Sequence, residues 1–143
     1  MPAFDYRGSF PTHITTVTRL REPLFRDDRL ARICVDAIHE ATHKFEAMVW
    51  AYCVMPDHVH LLASMPEGVS LEAFVKHFKQ LAGFRLKAQT GQHAWQISYH
   101  DRVLRREEAI PDVARYIWAN PVRAGLVKDA RDYPYAGPRD RIS

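Results

Sequence analysis

Residues 46–65 read EAMVWAYCVMPDHVHLLASM, two apolar runs divided by Pro56-Asp57, and their reading decides the fold. The first run, 46–55, carries β-branched and aromatic residues on both faces, as a strand in the middle of a sheet does. Pro56 and Asp57 supply a turn. In the second run, strand alternation places Val59, Leu61, Ala63 and Met65 on one face and His58, His60, Leu62 and Ser64 on the other. The apolar set can face a core, but the two histidines cannot both hide in one. A tight hairpin therefore sits at the centre of the sheet.

Working outward, His13–Thr18 (HITTVT) is rich in β-branched residues and predicts a strand. From about Asp28 to Lys44, Leu30, Ile33, Cys34, Ala37, Ile38 and Ala41 recur at three- and four-residue spacing, an amphipathic helix with Asp27 or Asp28 as its cap. Pro66-Glu67-Gly68 ends the second hairpin strand, and Ser70 caps a helix to about Gln89. Its buried stripe is Leu71, Phe74, Val75, Phe78, Leu81 and Ala82. Beyond the turn at Gly91, Gln92 and His93, a strand or extended segment is expected from Trp95 to Leu104. Pro111 then suits the first turn of a helix through Ala119, which Asn120-Pro121 should terminate, because the residue before proline disfavours helical dihedrals. The order β-α-β-β-α-β-α predicts one α+β domain over residues 1–143, an antiparallel sheet with helices packed mainly on one face.

Composition agrees with a globular chain. Its 143 residues, 47% of them hydrophobic, can bury a core without disulfides or a structural metal, which argues against disorder and against several domains. Cys34 and Cys53 stand in apolar surroundings without CxxC spacing and read as reduced core residues. The first eighteen residues, MPAFDYRGSFPTHITTVT, lack the apolar run of a signal peptide, and no later run approaches a membrane span. A cytoplasmic location is the expectation.

The net charge of +3 is unevenly spread. Residues 1–75 carry 7 basic and 10 acidic side chains, and residues 107–143 carry 6 of each. Between them Lys76, Lys79, Arg85, Lys87, Arg102, Arg105 and Arg106 face only Asp101, a local charge of +6. Such a segment reads either as a footprint for phosphates or as a solvated helix face.

Two constellations carry chemistry. His58 and His60, at i and i+2 on a strand, point the same way and are close enough to bind one metal ion, although an exposed pair on a sheet face fits the same spacing. Tyr116 and Asn120, four apart in RYIWAN (115–120), share a helix face. A tyrosine hydroxyl can form a covalent intermediate, and an asparagine carbonyl can be a hard oxygen ligand. Ordinary core spacing with a helix-ending Asn-Pro describes the same residues. No GxxxxGK loop, GxSxG elbow or HExxH helix is present, so breaking and rejoining nucleic acid would require a covalent intermediate that conserves bond energy.

Taken in order, REPLFRDD (21–28), MPDHVHLL (55–62), AWQISYHDRVLR (94–105) and YIWANPVRAGLV (116–127) resemble the REP-associated tyrosine transposases, a branch of the HUH single-tyrosine, insertion-sequence-200-like transposases. The resemblance extends from about His13 to Tyr135. It implies a ferredoxin-like sheet with a catalytic tyrosine on a C-terminal helix, and an enzyme that cleaves and rejoins single strands at DNA hairpins through a 5′-phosphotyrosine. His58 and His60 match the HUH pair, Tyr116 the nucleophile and Asn120 the third metal-binding side chain, with Mg²⁺ or Mn²⁺ as the cation. On this reading the seven basic residues contact backbone phosphates, and His93, Trp95 and Tyr99 are candidates to stack on unpaired bases, although Trp95 reads equally well as a core residue. Ile97-Ser98 and Tyr133-Pro134-Tyr135-Ala136 depart from the family's common pattern outside the catalytic set. Two rivals are a hairpin-binding protein that does not cleave, and a zinc site through His58, His60 and His13. As a monomer or a homodimer the chain fits either state.

Overall fold

The computed structural model describes residues 9–106 and 109–138. The first eight residues, part of the stretch expected to lack a signal peptide, and the outer ends of the expected 1–143 domain lie outside them. The elements are β1 (Thr12–Val17), α1 (Asp28–Phe45), β2 (Met48–Val54), β3 (His58–Ser64), α2 (Leu71–Thr90), β4 (His100–Val103), α3 (Ala109–Trp118), α4 (Asn120–Arg123) and β5 (Ala136–Gly137). The sheet order is β4-β1-β3-β2-β5, and every pairing is antiparallel. The first four of these strands have the order of a ferredoxin-like βαββαβ unit.

The hairpin divides the side chains as its alternation requires. Val59, Leu61 and Ala63 join Ile14, the α1 stripe and Phe74, Val75 and Phe78 of α2 in one core. On the opposite face Leu62, Ala51 and Cys53 pack against Ile110, Ala114, Ile117 and Trp118 of α3. Two helices therefore cover one face and α3 the other. Ile110 and Ile117 are fully buried, and burial of such a side chain stabilises by about 1.5–3 kcal/mol. Neither Cys34 nor Cys53 is in a disulfide, and the two are buried in different cores, as expected of structural thiols.

The helix boundaries follow their caps. Asp27 Oδ1 accepts from the backbone N–H groups of Arg29 at 2.8 Å and Leu30 at 3.3 Å, and Ser70 Oγ accepts from Ala73 N–H at 3.1 Å. Gly91, at φ +75°, closes α2 in the left-handed conformation that glycine adopts without Cβ strain.

Two expectations need correction. The strand anticipated from Trp95 to Leu104 is confined to His100–Val103. Before it, the Lys79 ammonium donates to the carbonyls of Gln96 at 3.0 Å, Ser98 at 3.4 Å and Ile97 at 3.5 Å, and a backbone gathered around one cation is not free to form a ladder. Trp95 belongs to the core, against Phe25 and Phe78 at ring separations of 5.8 and 5.9 Å, with its indole N–H donated to Lys79 O. The second correction concerns Asn120. α3 ends at Trp118, but Asn120 opens a further turn, α4, with Pro121 near its start, where a missing N–H costs nothing. No helix among the described residues is long and apolar enough to cross a membrane.

Candidate active site

The α3 face of the sheet carries a polar row. Register sets Thr15 opposite His60, and His60 opposite Cys53 on the other side. His60 is only 7% exposed. Its Nδ1 lies 3.0 Å from His13 Nε2 and 3.2 Å from Thr15 Oγ1. Burial, then the neighbouring His58, His13 and Arg123, hold its pKa down to about 3. His60 is thus a neutral imidazole at physiological pH, the form that can ligate a metal. His13 is also shifted down, first by burial and then by Arg102, which sits opposite it in the β1–β4 register.

His58 lies beside His60, with ring centres 4.8 Å apart and planes nearly perpendicular at 89°. Its Nδ1 is 2.6 Å from Asp57 Oδ1, and Asp57 Oδ2 in turn meets Arg21 at 3.3 Å. Burial pulls the Asp57 carboxyl upward, but His58 and Arg21 outweigh it, and the group lies below its ordinary value. With each ring protonated on Nδ1, His58 donates to Asp57 and His60 shares its single N–H between His13 Nε2 and Thr15 Oγ1, and both Nε2 lone pairs remain for a cation. That is the arrangement of metal-ligating histidines oriented through their other nitrogen.

Tyr116 approaches this pair from α3. Its ring centre is 6.4 Å from that of His60 and 6.3 Å from that of His13, both edge-on. The side chain is 53% exposed. Other tyrosine hydroxyls are committed elsewhere: Tyr133 donates to Val54 O at 2.6 Å, Tyr135 to Asp28, and Tyr52 pairs with His39 on the far face. Asn120 turns its amide N–H toward Ile117 O at 3.1 Å, and its Oδ1 accepts from Arg123 Nη2 at 2.9 Å. One lone pair of that oxygen is left over. Two imidazole nitrogens with an amide oxygen fit a divalent cation in donor chemistry. Among the described residues no three His, Cys, Asp or Glu side chains form a metal cage, and His13 Nε2 faces His60 Nδ1, so the zinc alternative through His13 is not formed.

The seven basic residues do not form one patch. Lys76, Lys79, Arg85 and Lys87 are on α2, on the sheet face away from the histidines. Lys79 is spent on the 96–98 carbonyls, and Arg85 forms a two-pronged pair with Glu40, one prong at 2.9 Å. Arg102 stands on the histidine face, and Arg105 and Arg106 follow it, exposed. Reading the charge along the chain gave no weight to Arg123, although Tyr116, Asn120 and Arg123 stand at i, i+4 and i+7, the spacing of one helix face. Thr15 left no comparable trace, because its contact with His60 crosses two strands.

The sheet order is that of a ferredoxin-like domain, with a histidine pair and a helical tyrosine on one of its faces. The chain belongs to the family described as "Transposase IS200 like", whose model matches residues 8–120, a span that ends on Asn120. It is 27% identical to a REP-associated tyrosine transposase of Escherichia coli strain K12, over 64% of this chain and 53% of that protein. To a protein of Haemophilus influenzae provisionally named a REP-associated tyrosine transposase it is 29% identical, over 60% of this chain and 56% of the relative. The chain thus spans about half the length of the curated relatives it matches. A solved REP-associated tyrosine transposase bound to a REP hairpin shares its fold at a TM-score of 0.76 and 21% identity, covering 95% of this chain and 81% of that one. A Deinococcus radiodurans protein provisionally named a transposase shares it at 0.61 and 22% identity, covering 82% of this chain and 95% of that one.

Proposed function

We propose that this chain cleaves and rejoins single-stranded DNA at REP-type hairpins through a 5′-phosphotyrosine on Tyr116, acting in the cytoplasm as one domain over residues 1–143. The observation that carries the reading is the Tyr116 ring 6.4 Å from His60, on the sheet face where the histidine pair stands, in a member of this transposase family.

The Tyr116 hydroxyl oxygen attacks the scissile phosphorus, forming a P–O bond to tyrosine as the bond to the 3′-oxygen breaks. The phenol gives up a proton and the departing 3′-oxygen takes one up, leaving a 5′-phosphotyrosine and a free 3′-hydroxyl. One phosphodiester replaces another, so no nucleotide triphosphate is consumed, and attack by a second 3′-hydroxyl reverses the step. A free phenol, with a pKa near ~10, needs assistance at neutral pH. His58, His60 and Asn120 would hold Mg²⁺ or Mn²⁺, which supplies Lewis-acid polarisation of the phosphoryl oxygen and a template for its orientation. Asp57, His13 and Thr15 keep the two imidazoles aimed and in one tautomer.

Arg102 is the best placed of the basic residues to meet a strand threading toward Tyr116, since its partner in register is His13. Arg102→Gln is expected to reduce the salt slope of hairpin binding by about one, the release of one phosphate contact. Arg85→Gln, on the far face and already paired with Glu40, is expected to leave it unchanged. Equal slopes for the two variants would move the DNA track off the α3 face.

The direct test is incubation of the protein with an end-labelled single-stranded REP hairpin and Mn²⁺. The expected product is a protein–DNA adduct that survives denaturation and is lost on chelation. Hairpin binding without an adduct under every divalent cation overturns the proposal in favour of a binding protein that does not cleave.

A further inference from the structure

We infer that Arg123 is a positioning residue of the strand-cleaving centre, setting the Tyr116 ring and the Asn120 carbonyl in register with each other. The inference rests on the cleavage reading above. Tyr116 is half-exposed, so packing alone does not fix its ring. The Arg123 guanidinium carbon stands 4.3 Å from the centre of that ring, on its face. The same Nη2 donates to Tyr116 O at 2.9 Å and to Asn120 Oδ1 at 2.9 Å, so the two hydrogens of one nitrogen are both used. Pinned at that nitrogen, the planar fork has little freedom to leave the ring.

The local backbone explains why this residue can reach. The break at Ala119 starts α4 with Pro121, and Arg123 N–H still donates to Ala119 O at 3.0 Å. Arg123 therefore stays on the helix face of Tyr116 and Asn120 while its long side chain folds back over the preceding turn. Gly125, at φ +75°, ends the turn, and Leu126 N–H closes onto Pro121 O at 2.9 Å. Arg123 lies between the expected nucleophile and the expected oxygen ligand and touches both. Its charge also reaches His60.

Lysine cannot substitute, because a point ammonium, even where it reaches both oxygens, has no plane to stack on the Tyr116 ring. Arg123→Lys and Arg123→Gln are both expected to lower the single-turnover cleavage rate at saturating hairpin by about 10²-fold, the cost of misplacing a reacting group by roughly 1 Å. The hairpin Kd is expected to change less than about threefold, because the loss falls on the chemical step. A readout independent of cleavage is ¹⁹F NMR of protein labelled with 3-fluorotyrosine, in which the Tyr116 resonance is identified by its absence in Tyr116→Phe. That resonance is expected to shift in both variants while the buried Tyr133 resonance stays, with an unchanged thermal midpoint certifying the fold. A stationary Tyr116 signal, a wild-type rate in Arg123→Lys, or a rate loss wholly accounted for by weaker hairpin binding overturns the inference. A wild-type chain that forms no adduct overturns the cleavage reading, and the fluorine shift then decides the Arg123 contact by itself.

Discussion

Tyr116→Phe is expected to abolish the covalent DNA adduct altogether while hairpin binding persists. The substitution removes one oxygen from a half-exposed ring whose hydroxyl has no hydrogen-bond partner among the described residues. The fold should barely register the change, within about 0.5 kcal/mol, as for surface substitutions away from caps and buried networks. The ring's edge contacts with His13 and His60 and its stacking under Arg123 survive, so the site is expected to keep its shape and to lose only the proposed nucleophile. No other described tyrosine is placed to take over. Tyr133 is buried with its hydroxyl donated to Val54 O, and burial raises its pKa. Tyr99 lies beside Lys79 on the α2 side, its phenol raised by burial and by Asp101 and Glu72. Denaturing gels of protein on labelled hairpin make the measurement, and an adduct in the variant equal to that of the wild type would remove Tyr116 from the mechanism.

The second large effect is expected at the histidines, and it should be graded. His60→Ala removes the buried imidazole at the centre of the polar row and leaves His13 Nε2 and Thr15 Oγ1 facing a void. If the cation contributes several kcal/mol to the developing phosphoryl charge, cleavage should fall by at least about 10²-fold. Asp57→Asn keeps the shape beside His58 but weakens the acceptor on its Nδ1. A change one shell out typically costs about 10–100-fold in metal affinity or activity. The discriminating measurement is adduct formation against Mn²⁺ concentration. Asp57→Asn should need more Mn²⁺ yet approach the wild-type plateau, whereas His60→Ala should stay low at any concentration. A His60→Ala plateau matching the wild type would take His60 out of the site.

Local pattern made most of this architecture legible. Period-two alternation in HVHLLAS assigned every β3 side chain to its face, and the Asp27 and Ser70 caps placed the starts of α1 and α2. The same alternation brought His58 and His60 together, and helix spacing paired Tyr116 with Asn120. What escaped was set by contacts between elements. For Trp95 the sequence leaves base stacking and core packing open, and only the contacts with Phe25 and Phe78 decide for the core. The charge of residues 76–106 looked like one footprint because linear sequence cannot show that α2 and β4 present their cations to opposite faces of a sheet. Arg123 follows the proline expected to end the helix, and only the folded turn shows its side chain carried back to Tyr116.

α3 is fastened to the sheet that bears the histidines. Ile110, Ala114 and Ile117 are packed against it, and Trp118 Nε1 donates to Gly137 O at 2.8 Å in the strand that edges the same sheet. Tyr116 and the two histidines are thereby carried on one packed unit, α3 and the sheet beneath it. In genetic terms, on the cleavage reading proposed above, Tyr116→Phe and His60→Ala carried on separate copies are expected not to complement each other, because each copy would lack one half of the same site.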